Sequence, residues 1–351
     1  MDKKAIIDYI ESSFIKDILS KNDITDISYN GRDIYYVSNE LGRKKSAVVV
    51  SNDEVKDFLR QIANISEKQF NYLNPIMDLN IGKYRINAVN NSVARLGEES
   101  VFTFEIRIAS EKPRITSDHS FVVEEVELLF DLLLKSHHSI VICGVPGVGK
   151  TEFQRYLISR INSLERIIII DNTIELMMLQ KRTNLDITLW QADEHNKEAS
   201  VTNLIKNGLR SNPDWMIVSE ARGEEMNDLL LSAMTGVPLI TTIHSIDAFN
   251  APSRMAKAIM LSEKKMSYED IITNIKEHFK IFVYLKKKVL KNKSIKRYIS
   301  SIVEIDSNGL AHEIYSDNLI RKKFAKVSKN MADTLLNIES NKKLRRFIKY
   351  E

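Results

Sequence analysis

At 351 residues, 43% of them apolar, the chain is long enough for about two domains and apolar enough for real cores. A formal net charge of +4, spread along the chain, gives little reason to expect a polyanionic partner, and the single cysteine, Cys143, excludes an internal disulfide and fits a reducing compartment. The opening residues 1–8 are charged and mixed, and no run approaches the ~20 apolar residues of a membrane span, so neither a secretory leader nor a transmembrane segment is expected.

Residues 1–112 read as a smaller α+β domain. Ile6, Ile7, Ile10, Phe14 and Ile18 recur at helical spacing over 5–19. Residues 26–37 alternate around Asn30-Gly31, a hairpin signal. A second turn at Leu41-Gly42-Arg43 precedes a predicted strand at 46–50. A helix is predicted over 53–66, and strands over 85–89 and 101–108. Polar Glu111-Lys112-Pro113-Arg114 leads into a linker at 113–120.

From Phe121 the pattern changes. A helix to 134 and the apolar strand 139–143 are followed by a helix over 152–164 and a strand at 167–171. Helices at 199–211 and 224–235 then alternate with strands at 215–218 and 239–243. Such alternation predicts an α/β domain, 121–315, with a mostly parallel, helix-flanked sheet. Residues 279–288 and 295–305 read as a hairpin around Lys291-Asn292-Lys293. The lysine-rich stretch 316–351 is expected to be a basic, largely helical, solvated tail.

Gly144-Val145-Pro146-Gly147-Val148-Gly149-Lys150-Thr151 fits the phosphate-loop pattern G-x-x-x-x-G-K-[ST]. Three of the chain's 11 glycines fall in this stretch, where they let backbone N–H groups approach phosphate oxygens. Lys150 supplies charge for the β- and γ-phosphates, and the Thr151 hydroxyl can ligate Mg²⁺. An apolar strand precedes the loop, and the helix opened by Glu152 presents its N-terminus to an anion. A bound nucleoside triphosphate is therefore expected along 144–152. Phosphate-loop enzymes also need an acid to hold Mg²⁺ and a group to orient the attacking water. Asp171 and Glu175 stand at and past one strand end, Glu220 at the next, and His244 at the one after.

The run from Leu204 through Asn212-Pro213-Asp214-Trp215-Met216-Ile217-Val218-Ser219-Glu220-Ala221-Arg222-Gly223 resembles the Walker B region of the secretion traffic ATPases. These serve type II and type IV secretion, pili and conjugation. Thr241-Thr242-Ile243-His244-Ser245, continued through Ala248 and Arg254, resembles that family's histidine box, and Asp171-Asn172-Thr173-Ile174-Glu175-Leu176 its aspartate box. Further likeness in Ile24 to Gly31, Asn74 to Asp78, Tyr84 to Val89 and Phe104 to Arg107 extends the match over about 24–305.

The resemblance implies a RecA-like P-loop ATPase domain that hydrolyses ATP with Mg²⁺, in a ring that is most often a hexamer, with ATP between the two domains and between neighbours. Carried over residue by residue, Glu175 prepares the water, Glu220 holds Mg²⁺ through water with Thr151 and Asp171, and His244 couples the γ-phosphate to motion. Arg85 and Arg107 would offset charge on the γ-phosphate, while Arg210 and Arg222 sense it or brace Glu220. A cytoplasmic protein is implied, peripheral at the inner face of the membrane through inner-membrane proteins of its apparatus, with no direct nucleic-acid contact. Two departures stand out: Asn172 replaces the box's middle acid and Ser219 replaces a glycine. Two rival readings stay open, a nucleic-acid translocase of RecA-like fold and an ATP-binding assembly scaffold with weak hydrolysis.

Overall fold

The computed structural model describes residues 2–21, 23–110, 113–116, 118–172, 175–179, 184–193, 196–223, 225–261, 266–339 and 342–348. Glu111, Lys112 and Glu224, named above at element boundaries, and Thr173 and Ile174 of the aspartate box lie outside them. The chain forms two compact units, Met1–Lys112 with Lys288–Lys296, and Pro113–Lys287 with Arg297–Glu351.

In the first unit α1 (Lys3–Ser12) and α2 (Lys16–Leu19) precede β1 (Ile24–Tyr29), β2 (Ile34–Ser38) and β3 (Gly42–Lys45). Helix α3 (Asn52–Ile65) leads to β4 (Ile76–Ile81), β5 (Tyr84–Val89), a small hairpin of β6 (Arg95–Leu96) and β7 (Glu99–Ser100), and β8 (Thr103–Ile108). The sheet runs β3-β2-β1-β8-β5-β4 and is antiparallel throughout. Alternation sets Ile27, Ile86 and Ile106 on one face, in a core with Ile6 and Ile10 of α1 and Phe58 and Leu59 of α3. A capping box starts α3: Ser51 Oγ accepts from Glu54 N–H while the Glu54 carboxylate accepts from Ser51 N–H.

Two expectations fail here for local reasons. The helix predicted over 5–19 breaks after Ser12, where Ser13 Oγ donates to the Ile10 carbonyl at 2.7 Å and competes with the helical ladder. The strand predicted at 46–50 falls instead on Gly42–Lys45, because the tight turn at Leu41 pairs Gly42 to Lys45 directly with Ser38 to Tyr35. Charge then lines a sheet edge, a common protection against further strand pairing.

The second unit comprises α4 (Glu124–Lys135), β9 (Ile140–Cys143), α5 (Lys150–Ile158), β10 (Arg166–Asp171), β11 (Asp186–Gln191), α6 (Val201–Leu209), β12 (Trp215–Val218), α7 (Glu225–Met234) and β13 (Leu239–Ile243). It continues with α8 (Ala251–Met260), α9 (Tyr268–His278), β14 (Ile281–Val289), β15 (Ile295–Ile305), β16 (Ala311–Asp317), β17 (Lys322–Phe324) and α10 (Lys329–Ile338). The sheet order is β11-β10-β12-β13-β9-β14-β15-β16-β17, parallel from β11 to β14. This is a mixed α/β fold with a mostly parallel sheet.

Its central strands are apolar because both faces are covered. Ile167, Ile169, Trp215 and Ile217 pack in one layer with Phe130 of α4 and Phe153 of α5. Ile170, Met216 and Val218 pack in the other with Leu229 of α7, Met255 of α8 and Ile271 of α9.

The solvated tail expected over 316–351 is not found among the described residues. Strand β16 crosses the expected boundary, and Met331, Leu335, Leu344, Phe347 and Ile348 are buried in the α4 layer. Apolar residues at helical spacing turn inward, while Lys322, Lys323, Lys326 and Lys329 stay exposed. Phe347 meets Phe324 edge-on at 5.4 Å. Replacing Phe347 with Ala should destabilise this unit by about 3–5 kcal/mol, read as a lower urea midpoint in its unfolding transition; a free tail would leave the midpoint unchanged.

Candidate functional site

Strand β9 ends at buried Cys143, whose thiol donates to the Val283 carbonyl at 3.3 Å and whose pKa is pushed up by burial. The chain then turns at Gly144, with φ of +152°. A Cβ there would lie 2.8 Å from the Leu285 carbonyl oxygen and 2.9 Å from Val148 Cγ2, so backbone on the neighbouring strand admits only glycine. Gly149 caps α5 in the left-handed region at φ of +97°. Lys150 follows, 8% exposed, with Nζ donating to the Gly144 carbonyl at 3.1 Å and lying 3.3 Å from His244 Nδ1. Burial pulls the Lys150 pKa below its usual value against the opposing pull of Glu220 and Glu175. Thr151 is half-buried in the first turn of α5.

Two cations seat on the loop's carbonyls. Lys287 Nζ donates to Pro146 O at 3.2 Å and Arg297 Nε to Gly147 O at 3.0 Å. Burial and the charge of Arg114 lower the Arg297 pKa. No sequence pattern marks either residue, since β14 and β15 bring them from far downstream. Glu152, expected along the nucleotide, has other partners: its carboxylate accepts from Arg114 N–H at 2.7 Å and pairs with Arg155 at 3.2 Å. It ties the segment before α4 to α5.

Strand order explains the next contacts. Because β13 lies between β9 and β12, His244 stands between Lys150 and Glu220. Its Nε2 is 2.6 Å from Glu220 Oε1, while Arg222 Nη2 donates to Oε2 at 2.6 Å. The histidine approach is close but poorly aligned, so Oε1 is buried without a hydrogen-bond donor among the described residues. Burial alone would raise the Glu220 pKa; the Arg222 hydrogen bond and charge, with His244 and Lys150, outweigh it and hold the carboxyl below the usual range. Burial, then the Lys150 charge, lowers the His244 pKa, so the ring is neutral at neutral pH.

Asp171, expected as a metal ligand, is fully buried, and its Oδ2 accepts from Leu176 N–H at 2.9 Å. Glu175 lies close enough to Lys150 to raise that residue's pKa. The two departures from the family pattern touch each other. Asn172 N–H donates to Ser219 Oγ at 3.0 Å, Ser219 Oγ donates to Asn172 Oδ1 at 2.6 Å, and Asn172 Nδ2 donates to the Glu220 carbonyl at 3.3 Å. Glycine at 219 would remove two of these three bonds. Gln154 of α5 braces the same edge, donating to the carbonyls of Val218 and Ile240 at 2.9 and 3.1 Å.

The expected arginines separate into three places. Arg222 reaches Glu220, and with His244 and Arg254 it borders a cavity of about 210 Å³ floored by Met226 and Ile243. Arg210 is not brought to this edge: it caps the C-terminus of α6, at the end of the sheet where β12 begins, one strand length from Glu220. Arg85 and Arg107 lie in the first unit, directly opposite each other on β5 and β8. Arg85 pairs with Asp78 at 3.2 Å and Arg107 with Asp26 at 3.3 Å, which offsets the repulsion of facing like charges.

A family model described as type II/IV secretion system protein matches residues 96–280, more than half of the chain. The chain belongs to this family. Among its relatives, an uncharacterised protein of Bacillus anthracis is 27% identical over 327 residues, covering 87% of this chain and 71% of that one. A twitching motility protein of Neisseria gonorrhoeae is 25% identical over 228 residues, covering 62% and 56% respectively. The fold is similar to that of the Legionella pneumophila ATPase DotB, with a TM-score of 0.62 at 17% identity over 84% of this chain and 80% of that one.

Two outcomes test this geometry. The destabilisation caused by Ser219→Ala and Asn172→Ala should be non-additive by about 0.5–3 kcal/mol in a double-mutant cycle of urea unfolding; additive losses would mean the two side chains act separately. Glu220's depressed pKa makes its contribution fully present above the ordinary glutamate value of 4.5 and lost as pH falls through the lower folded-state value. The melting temperature of the unaltered protein should therefore fall more steeply across that range than that of Glu220→Gln.

Proposed function

We propose that the chain is a Mg²⁺-dependent ATPase with a RecA-like ATPase domain that drives a secretion, pilus-assembly or conjugation machine as a homo-oligomeric ring. The observation that carries this reading is the line Lys150, His244, Glu220 across the ends of adjacent parallel strands, above a glycine loop whose backbone admits no side chain at 144. Membership of the type II/IV secretion family supports a secretion machine, the gonococcal twitching motility relative supports a motility machine, and the likeness in fold to the ATPase DotB supports the activity.

The residues present fit Mg²⁺. Glu220 Oε1 is a buried carboxylate oxygen with no aligned donor, and the Thr151 hydroxyl stands beside Lys150 in the first turn of α5. Bound Mg²⁺ would neutralise charge on the phosphates as the terminal phosphoryl group departs. Lys150 turns from the Gly144 carbonyl to the ATP phosphates, and the loop N–H groups up to Thr151 hold them. Lys287 and Arg297 keep the carbonyls of Pro146 and Gly147 engaged, leaving the loop's N–H groups for the anion. Glu175 takes the proton of the attacking water. His244, neutral and between two charged partners, reports loss of the γ-phosphate to β13 and α8. Arg222 braces Glu220, and Arg85 and Arg107 are the further cations for the γ-phosphate.

An amide at 172, where the family has an acid, would favour the scaffold reading; its clasp with Ser219 gives that amide a positional role instead. The protein is read as cytoplasmic and held at the membrane's inner face by partner proteins; no helix among the described residues is long and apolar enough to cross a membrane.

Glu175→Gln should lower ATP turnover by about 10²–10⁴-fold while nucleotide binding persists; undiminished turnover would remove Glu175 as the base. Lys150→Ala should lose nucleotide binding itself, measured by fluorescence of a labelled analogue. Mass in solution with a non-hydrolysable ATP analogue should show the ring, and a monomer at high concentration would sink it.

A further inference from the structure

Two successive carbonyls of the phosphate loop accept from cations, Pro146 O from Lys287 Nζ at 3.2 Å and Gly147 O from Arg297 Nε at 3.0 Å. Strand alternation delivers both donors. On β14, Ile281, Val283 and Leu285 pack in the layer that holds Phe153 of α5, and Lys287 continues that face to the loop. On β15, Ile299 packs in the same layer and Arg297 stands two residues before it. Lys286 falls on the other face, its Nζ 5.3 Å from the centre of the Tyr284 ring. Both loop donors pass close over glycines. A Cβ on Gly147 would stand 3.2 Å from Lys287 Nζ, and one on Gly149 would stand 3.7 Å from Arg297 Cδ.

A lysine kept only for solubility would point its ammonium group into water. Lys287 is exposed, yet it gives its charge to a peptide group. The choice of acceptor matters because the peptide bonds here are trans. A trans peptide points its N–H opposite its C=O. A cation behind the Pro146 carbonyl therefore polarises the peptide whose N–H belongs to Gly147. Behind the Gly147 carbonyl, a cation does the same for the N–H of Val148. Each N–H becomes a stronger donor on the far side of its peptide plane. In a phosphate loop these N–H groups cradle the α- and β-phosphates, which ATP and ADP share. The two carbonyls are also fixed before a nucleotide arrives, so the ligand has less of the loop to order.

We propose that Lys287 and Arg297 are positioning residues that act through these two peptides to set how tightly the loop holds ATP and ADP alike. This rests on the ATPase reading above. An interaction made equally with substrate and product changes affinity and leaves the chemical step alone.

The full chain is tested by ATP turnover and by equilibrium binding of fluorescent N-methylanthraniloyl-ADP, in low and high salt. Lys287→Met and Arg297→Gln should each raise the KM for ATP and the Kd for the ADP analogue by the same factor. That factor is expected at about 2- to 12-fold, the contribution of one hydrogen bond, with kcat within about twofold of the unaltered protein. It should persist in high salt, because screening weakens distant charge and spares a contact made through one peptide. Lys287→Arg should restore the unaltered values. Lys286→Met removes the same net charge from the opposite face and should leave KM, Kd and kcat as they are. Unchanged KM and Kd in both loop variants would overturn the proposal. So would a fall in kcat at constant KM, or a rise in Lys286→Met equal to that in Lys287→Met, which would reduce the effect to net charge. A lowered melting temperature without nucleotide, joined to a loss of kcat that Lys287→Arg does not repair, would mark a purely structural role and also overturn it. Absence of nucleotide binding in the unaltered protein would be a separate result: it would sink the ATPase reading, and this proposal with it.

Discussion

One strand insertion sets the chemistry of this molecule. With β13 hydrogen-bonded between β9 and β12, the residue that follows β13 must stand between the residues that follow its neighbours. Parallel strands deliver their C-terminal ends to one edge, so Lys150 after the loop, His244 and Glu220 come together without any contact in sequence. A different order of the same strands would carry every motif and no site. The order itself is held by apolar packing on both faces, with Ile167, Ile169, Met216 and Val218 locked between two helical layers. The polar edge therefore rests on a core that cannot shift register without exposing it.

The edge balances its charges over very short distances. A buried lysine, a neutral histidine, a carboxylate held ionised and an arginine follow one another within hydrogen-bonding or ion-pair reach. Each buried charge has a neighbour that offsets its loss of water. Beside this line the clasp between Asn172 and Ser219 is neutral. It ties β10 to β12 and holds the Glu220 backbone without adding another negative charge, as an aspartate at 172 would. At the end of β10 the Asp171 carboxylate accepts the Leu176 N–H.

Much of this was legible in sequence because its signals are local. The phosphate loop, Glu220 and His244 lie at ends of apolar runs, and a run of apolar residues marks a strand whatever its neighbours are. The positions of Arg210 and Arg222 depended on something less local. They are 12 residues apart in chain numbering yet sit at opposite ends of β12, because a strand separates them. Lys287 and Arg297 were illegible for a related reason: a lysine on a strand looks solvated until the order of strands places a carbonyl under it. The C-terminal stretch misled through composition. Its lysines stand out, but its apolar residues are more numerous and share a helical face, and that spacing decides burial.

Cys143 has a practical consequence. The chain's only thiol is fully buried, donates to a backbone carbonyl and is pushed toward its unreactive protonated form by burial. Maleimides and other electrophiles will pass it by in the folded protein. A cysteine placed at any exposed position therefore becomes the one labelling site, with no background to subtract and no native residue to delete. Dyes, spin probes and crosslinkers can thus be installed one at a time around a chain that already supplies its own blank.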